Sequence, residues 1–488
     1  MSKNNRKHTR SICNLEINIK DNYSENKISG VSFDISDNGL FLELNSNLQS
    51  HEQFKGNIIL PNNVKLDFSG QPVYFNNNEV NEKNIKNIGY GISIENLNLK
   101  SHKVFKEFLS SINQQNSIET VNILEANTSS LLKKFINFPF QLYNPQSNWI
   151  APLKKDLIKL LSKDSSFSKH SELKLFLAVH NNKLVGRIAA IIDHNYNTFN
   201  NSNIGFWGFY ECIGNINVSN KLFQNVVSFS KTRGLSKIVG PLNPSFNHDL
   251  GFLSSGYPNL PNMQMPYNFI YYNNFAINFG FKKLKDIYSY NIDITDKLSS
   301  KIDKLDIVKD DDIKIRSINK KNFWSDAKIL RYLFNESYSA ANHWGFAPVT
   351  EDEWLDLAKH LKEIMDYDLV LIAEYKSKPI GYLICVPNIS EILHSIRGSI
   401  SLIDIIKFPF QMKKVNNIRA LSIGVLKPYW KKFVGLKLLK EGVTRIKEKG
   451  YSTMEYGWVL DDNYPSIYLA KQLKGKLSNS YSVYELDI

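Results

Sequence analysis

The sequence predicts a multidomain protein: an all-β N-terminal barrel over residues 3–112, followed by two tandem α/β (α+β) units over 131–295 and 312–488. Three observations carry this. Residues 11–95 break into short runs of alternating apolar and polar residues, the period of half-buried strands. From Leu131 onward the texture changes to longer apolar strands separated by helices. The order strand, strand, strand, helix, strand then occurs twice, which an internal repeat of one α/β unit explains.

The elements follow in order. Asn14–Ile19 and Leu40–Leu44 alternate as strands, and Ser101–Ile112 reads as a short amphipathic helix. Residues 113–130, rich in Asn, Gln, Ser and Thr, read as a linker. In the first α/β unit, Leu173–Val179, Lys183–Ile192 and Ile204–Cys212 are strands. A helix over Asn220–Arg233 ends at Gly234, and Lys237–Gly240 is the next strand. In the second, Leu369–Glu374, Lys378–Ile384 and Arg419–Val425 are strands, Lys437–Lys449 is a helix ended by Gly450, and Met454–Val459 is a strand. Residues 399–414, apolar with lysines at the end, admit two readings: a helix that caps the core, or a segment that covers a lipid-binding tunnel or touches a membrane.

Length and composition set the outer bounds. At 488 residues with 42% hydrophobic content, the chain can build three domains with cores of their own. Its net charge of +13 favours an anionic partner such as a nucleotide, coenzyme A or a membrane surface. Basic residues are not interleaved with aromatics in the manner of a nucleic-acid groove, so no nucleic-acid partner is expected. Cys13, Cys212 and Cys385 are too widely spaced for a metal set or a disulfide framework, and no metal is expected. The N-terminal residues lack the apolar core of a signal peptide and no run of apolar residues is long enough to span a bilayer. A bacterial cytoplasmic protein is the expectation, with peripheral contact at the inner membrane through 399–414 if the second reading holds.

Two N-terminal motifs carry chemistry. Arg6 and Arg10 form R-x-x-x-R, and Asp34, Ser36 and Gly39 form D-x-S-x-x-G. Arginine presents a planar fork of donors and stacks on purines. A carboxylate accepts from a guanine N–H, a hydroxyl donates to phosphate, and glycine permits a turn with positive φ. With Gly89–Ile94 as a later glycine-flanked strand, this pair resembles the PilZ domain, a β-barrel that binds cyclic di-GMP. The resemblance implies that Arg6, Arg10, Asp34, Ser36 and Gly39 hold that messenger.

The repeated unit resembles the GCN5-related N-acyltransferase (GNAT) fold. Val185–Ile191, Gly205–Glu211 and Gly240–Ser245 carry the resemblance in the first copy; Asp368–Glu374 and Asp461–Pro465 carry it in the second. The resemblance implies an acyl-CoA donor whose pantetheine arm lies between splayed strands, with its pyrophosphate on backbone N–H groups at a helix start. Lys431, Lys432, Gly435 and Asn463 are the expected donor-binding residues. The loop departs from the family pattern Q/R-x-x-G-x-G/A, because only Gly435 remains and Phe433 stands where phosphate should approach. The tyrosine that commonly serves as general acid is replaced by Ala470. Acid–base candidates come from the first copy: Glu211 at the end of an apolar strand, and His248 and Asp249 in a turn. A structural ion pair for Glu211 and an exposed loop position for His248 are the competing readings.

The expected function is cyclic-di-GMP binding joined to transfer of an acyl group, long-chain by preference, from a thioester to an amine. The alternative is an inactive GNAT-like module serving as a messenger-dependent adaptor; it expects Phe433 in the pyrophosphate site and no channel between the splayed strands. For the N-terminal motif, Arg10→Ala is expected to weaken messenger binding by roughly 2–4 kcal/mol, the range for a lost charge-assisted clamp. Unchanged affinity in calorimetry would show the clamp to be misassigned.

Overall fold

The computed structural model describes residues 120–296, 312–341 and 343–488. In the N-terminal part it describes 11–12, 15–20, 27–36, 39–44, 54–60, 65–76, 89–95 and 101–106, with single residues 97, 109, 118 and 298. The N-terminal strands are β1 (Ser11–Ile12), β2 (Glu16–Lys20), β3 (Lys27–Ser36), β4 (Gly39–Leu44), β5 (Phe54–Ile59), β6 (Lys65–Asn76) and β7 (Gly89–Glu95). Their order is β1-β3-β2-β5-β6-β7-β4, and β4 pairs back onto β3, closing the sheet into a barrel. Among the described residues, closure gives each of β2 to β7 a neighbour on both sides. Alternate residues point inward: Ile17 and Ile19, Leu40 and Leu42, Leu66 and Phe68 are buried in one core with Phe105 and Leu109.

Of the fifteen remaining strands among the described residues, thirteen form one sheet. The fifteen begin with β8 (Asn122–Glu125), β9 (Ser171–His180), β10 (Lys183–Asp193), β11 (Ile204–Cys212) and β12 (Lys237–Gly240), then the short β13 (Leu242–Asn243), β14 (Asp249–Leu250) and β15 (Phe252–Ser255), and β16 (Lys282–Asp293). The second unit supplies β17 (Ile313–Ser317), β18 (Val370–Tyr375), β19 (Lys378–Pro387), β20 (Asn417–Val425), β21 (Thr453–Leu460) and β22 (Lys476–Asp487). The sheet runs β17-β18-β19-β20-β21-β16-β22-β12-β11-β10-β9-β8, with β15 on β22; β13 and β14 pair apart. The two units therefore exchange their last strands. β16, from the first, lies between β21 and β22 of the second; β22, from the second, lies between β16 and β12.

Two expectations need correction. Residues 113–130 are not a linker throughout, because β8 within them pairs with β9 from Asn122↔Val179 to Glu125↔Phe176. The helix Leu402–Met412 caps the core only in part: Phe408 and Met412 pack against it, yet none of the helix's residues is fully buried. The helix ends fall as expected: Gly234 and Gly450 follow the helices Ile216–Thr232 and Val434–Glu448 with φ of 68° and 83°, a conformation glycine adopts without strain. Among the described residues no helix is long and apolar enough to cross a membrane.

Polar contacts tie the units across their seam. His170 Nδ1 lies 3.1 Å from Asp193 in the first unit, and its Nε2 lies 3.2 Å from Glu353 in the second. Lys159 pairs with Asp356 at 2.7 Å, and Asn388 donates to Asn262 at 2.6 Å. Burial opposes charge on His170, but the two carboxylates outweigh it and raise its pKa from 6.5 to about 10. The stabilisation is thus complete below pH 6.5 and is lost as pH rises through about 10. In scanning calorimetry, the wild-type melting temperature is expected to fall more over that interval than that of His170→Gln; parallel curves would refute the bridge.

A candidate active site between the two α/β units

Each unit contains one parallel strand pair that begins together and then diverges. In the first, β11 and β12 pair only from Ile204↔Lys237 to Phe206↔Val239. In the second, β20 and β21 pair only from Asn417↔Thr453 to Ala420↔Tyr456. The chain itself fills the first wedge. β13 lies against β11 so closely that a Cβ at Gly208 would overlap the Leu242 carbonyl, and Phe209 N donates to Asn243 Oδ1 at 2.6 Å. The second wedge is open: Leu421, Ser422, Trp458 and Leu460 line a cavity.

The helices that follow these strands differ in the same sense. Ile216–Thr232 is capped by Asn215, whose Oδ1 accepts from Val218 N at 2.9 Å. Val434–Glu448 has no side-chain cap, so the N–H groups of its first turn keep their capacity for an external acceptor. A Cβ at Gly435 would meet only Val425 Cγ2, at 3.7 Å, so the space before this backbone is not filled by protein. Phe433 precedes the helix at φ 54° and is 58% exposed. A cavity thus lies at the diverging strands of the second unit, and Phe433 at the helix start is exposed to solvent.

The cavity has a volume of about 1040 Å³ and draws its walls from both units. Pockets for drug-sized ligands occupy roughly 300–1,000 Å³, so it is larger than an acetyl group needs. Trp149, Phe209, Leu330, Phe334, Ile392 and Phe408 are among its apolar lining, and Glu211, His248, Asp249 and Arg419 are among its polar groups. The three expected acid–base residues therefore converge on one space.

Their environments differ. Glu211 Oε2 accepts from the hydroxyls of Tyr143 and Tyr272, both at 2.8 Å, and its Oε1 lies 3.8 Å from Arg187. Arg187 Nη1 in turn donates to Phe135 O at 2.8 Å. Burial pushes the Glu211 carboxyl up to about 7, against the pull of Arg187 and the two tyrosines. The ion-pair reading of Glu211 is thus realised. His248 Nδ1 lies 2.9 Å from Ser245 Oγ, and burial lowers its pKa below 6.5, which favours neutral imidazole at neutral pH. Burial raises Asp249 to about 6, while Arg419 opposes the shift.

The other expected residues fall as follows. Asn463 caps the helix Tyr464–Gln472, its Oδ1 accepting from Ser466 N at 3.2 Å, so its amide serves the fold here. Ala470 is fully buried, away from solvent, whereas Tyr468 on the same helix is exposed. Lys432 stands over the Tyr375 ring at 4.7 Å, and Lys431 adjoins it beside the open helix start. Arg6 and Arg10 lie outside the described residues. Ser11 and Ile12 pair with Ile35 and Asp34, so the strand that begins one residue after Arg10 runs beside the second motif. The Ser36 hydroxyl donates to Gly39 O at 3.1 Å, closing the β3–β4 turn. Gly39 does not take the positive φ expected of it; a Cβ there would lie 2.9 Å from Ile92 O, so close packing on β7 is what excludes a side chain.

Several functional groups escaped the sequence reading: Arg187, Tyr143 and Tyr272 around Glu211, the His170–Asp193–Glu353 bridge, and Arg419 with Glu455. Arg419 and Glu455 pair at 3.0 Å, both buried, and Ser289 Oγ donates to Glu455 at 2.7 Å. For Arg187, Arg419 and Glu455 the available signal was a charge within an apolar strand, which requires a partner; the others carried no such mark. Among the described residues no group of three or more His, Cys, Asp or Glu is placed to hold a metal ion.

Comparison with known proteins agrees with this architecture. Residues 4–111 match the PilZ domain family, and residues 329–475 match the acetyltransferase (GNAT) family. The chain thus joins an N-terminal PilZ domain to GNAT-like α/β units. It is 28% identical over 376 residues to a bacterial ceramide synthase of Caulobacter vibrioides, covering 75% of this chain and 97% of that protein. It is also 28% identical over 367 residues to the protein YghO of Escherichia coli, covering 73% and 93%. Among solved structures, a tandem GNAT protein from the clavulanic acid biosynthesis pathway aligns over 75% of this chain and 98% of its own, at 9% identity and a TM-score of 0.42.

Removing Glu211 would leave Arg187 buried without its carboxylate and the Tyr143 and Tyr272 hydroxyls with only the longer backbone acceptors Tyr267 O at 3.4 Å and Cys212 O at 3.2 Å. Glu211→Ala is expected to cost about 3–5 kcal/mol in urea denaturation, and Glu211→Gln, which can still accept from the tyrosines, clearly less. Equal, small losses would show that the pair is not structural.

Proposed function

We propose that the protein is a cyclic-di-GMP-responsive N-acyltransferase whose second GNAT-like unit holds an acyl thioester, long-chain by the size of the cavity. The open wedge between β20 and β21, leading into a large apolar cavity while the first unit's wedge is filled by its own chain, carries this reading. The pantetheine arm would lie in the wedge. The phosphates would meet the N–H groups at Val434 and Gly435, with Lys431 and Lys432 supplying positive charge. Similarity to a protein named bacterial ceramide synthase supports acyl transfer. The PilZ match supports cyclic di-GMP as the regulatory ligand, held by Arg6, Arg10, Asp34, Ser36 and Gly39. Regulation requires the messenger to bind two states of the enzyme unequally. We place the protein in the cytoplasm.

In the reaction an amine acceptor enters as its ammonium ion. His248, neutral and facing the cavity, takes one proton; Asp249 beside it is the second candidate. The amine nitrogen attacks the thioester carbonyl carbon, the C–S bond breaks, and the departing thiolate takes up a proton equivalent to the one nitrogen sheds on becoming an amide. A thiol with a pKa of about 8.5 leaves without a dedicated acid, which accords with a buried alanine at position 470. Glu211, committed to Arg187 and two tyrosines, is assigned to holding the cavity wall.

A thermal-shift titration with acyl-CoAs of increasing chain length tests the reading, since a ligand that binds only the folded state raises the melting temperature. Stabilisation should grow with chain length and change when cyclic di-GMP is added. Gly435→Ala should leave the unliganded protein within about 1 kcal/mol of wild type, because a Cβ fits there, yet remove most of the acyl-CoA shift. No shift with any acyl-CoA would overturn the donor assignment and favour the adaptor.

A further inference from the structure

The helix Leu402–Met412 has apolar residues on both sides. It is a finished element: Ser401 accepts from Asp404 N, and the Asp404 carboxylate accepts from Ser401 N at 2.8 Å and from its hydroxyl at 2.6 Å. Leu402, Ile406 and Phe410 follow one another at helical spacing and are 78%, 69% and 67% exposed. Ile403 beside them and Ile400 just before the helix are exposed as well. The opposite side contributes Asp404 and Phe408 to the cavity wall, with Ile405 at its margin. Arg397, Lys407, Lys413 and Lys414 surround the apolar face, all exposed, and the one acid among them, Asp404, is used by the cap.

Large apolar side chains held together in water on an ordered helix are costly, and such patches mark interaction sites. Apolar residues ringed by cations match the two layers of an anionic bilayer, whose headgroups are negative and whose interior is apolar. We infer that this helix is the seat of the protein on an anionic phospholipid surface, and that lipid-chain substrate passes around it between bilayer and cavity. The second half rests on the function proposed above; the first does not.

The test uses the full chain and sedimentation with vesicles of phosphatidylglycerol and phosphatidylethanolamine, compared with vesicles of phosphatidylcholine alone. Wild type should pellet with the anionic vesicles and be released by salt. The triple variant Leu402→Glu, Ile406→Glu, Phe410→Glu should lose that binding by about tenfold or more. Its melting temperature should be unchanged, because these side chains face solvent and do not line the cavity. Reversing Lys413→Glu and Lys414→Glu should weaken binding to anionic vesicles alone. Equal partition of wild type and the triple variant, or no pelleting of wild type, would overturn the inference. So would light scattering that shows a wild-type dimer abolished by the triple variant, since a second copy would then cover the face. Protein that pellets through this helix but takes up no acyl-CoA would refute the proposed function and leave the docking surface standing.

Discussion

The ladder that β22 makes with β16 on one side and β12 on the other is the constraint on which the C-terminal architecture rests. A GNAT-like unit closes its sheet with its own last strand only if that strand stays home. Here each last strand is given to the partner half, so neither half has a complete set of backbone partners by itself. Buried N–H and C=O groups must be paired, and the exchange therefore makes the two units one body. The residues around the exchange reflect this. Tyr481 on β22, Ser289 on β16 and the Arg419–Glu455 pair on β20 and β21 are all buried close to the crossing.

Interlocking also determines where a cavity can form. With the two halves held side by side, the faces around the diverging strands meet across the seam, and the enclosed space takes its walls from both. Duplicate copies need not then keep duplicate roles. The first wedge is packed by Leu242 and Asn243, and its unit brings ionisable side chains to the cavity; the second stays open and contributes length. The polar groups on the walls are held by partners from distant parts of the chain, such as Tyr143 and Tyr272 on Glu211. Their geometry is thus set by the fold as a whole and not by local loops.

Much of this was legible in the sequence, for reasons that differ by element. Ile204–Cys212 and the region of β10 were read almost to the residue, because continuous apolar runs bounded by Gly, Asn and Lys leave few alternatives. Gly234 and Gly450 marked helix ends by conformational freedom alone. Glu211, His248 and Asp249 were found as ionisable groups at the edge of apolar elements, and they share one cavity. What stayed hidden is non-local. Strand exchange leaves no mark on periodicity, since β16 and β22 look the same whichever neighbour they join. His170 and Glu353 stand 183 positions apart, and nothing near either residue announces the other. Gly39 shows the opposite case: the residue was singled out correctly, yet the reason is the nearness of Ile92 on another strand.

The exchanged strands also impose an order on synthesis. β12 and β16 leave the ribosome long before β22, which follows every other strand in the chain. Through the whole production of the second unit, each of them presents an edge that its final partner cannot yet cover. Unpaired edges of that kind invite pairing with other nascent chains. The exchange therefore delays completion of the first unit's sheet until the second unit's last strand is made, a delay that a plain pair of independent units would not have.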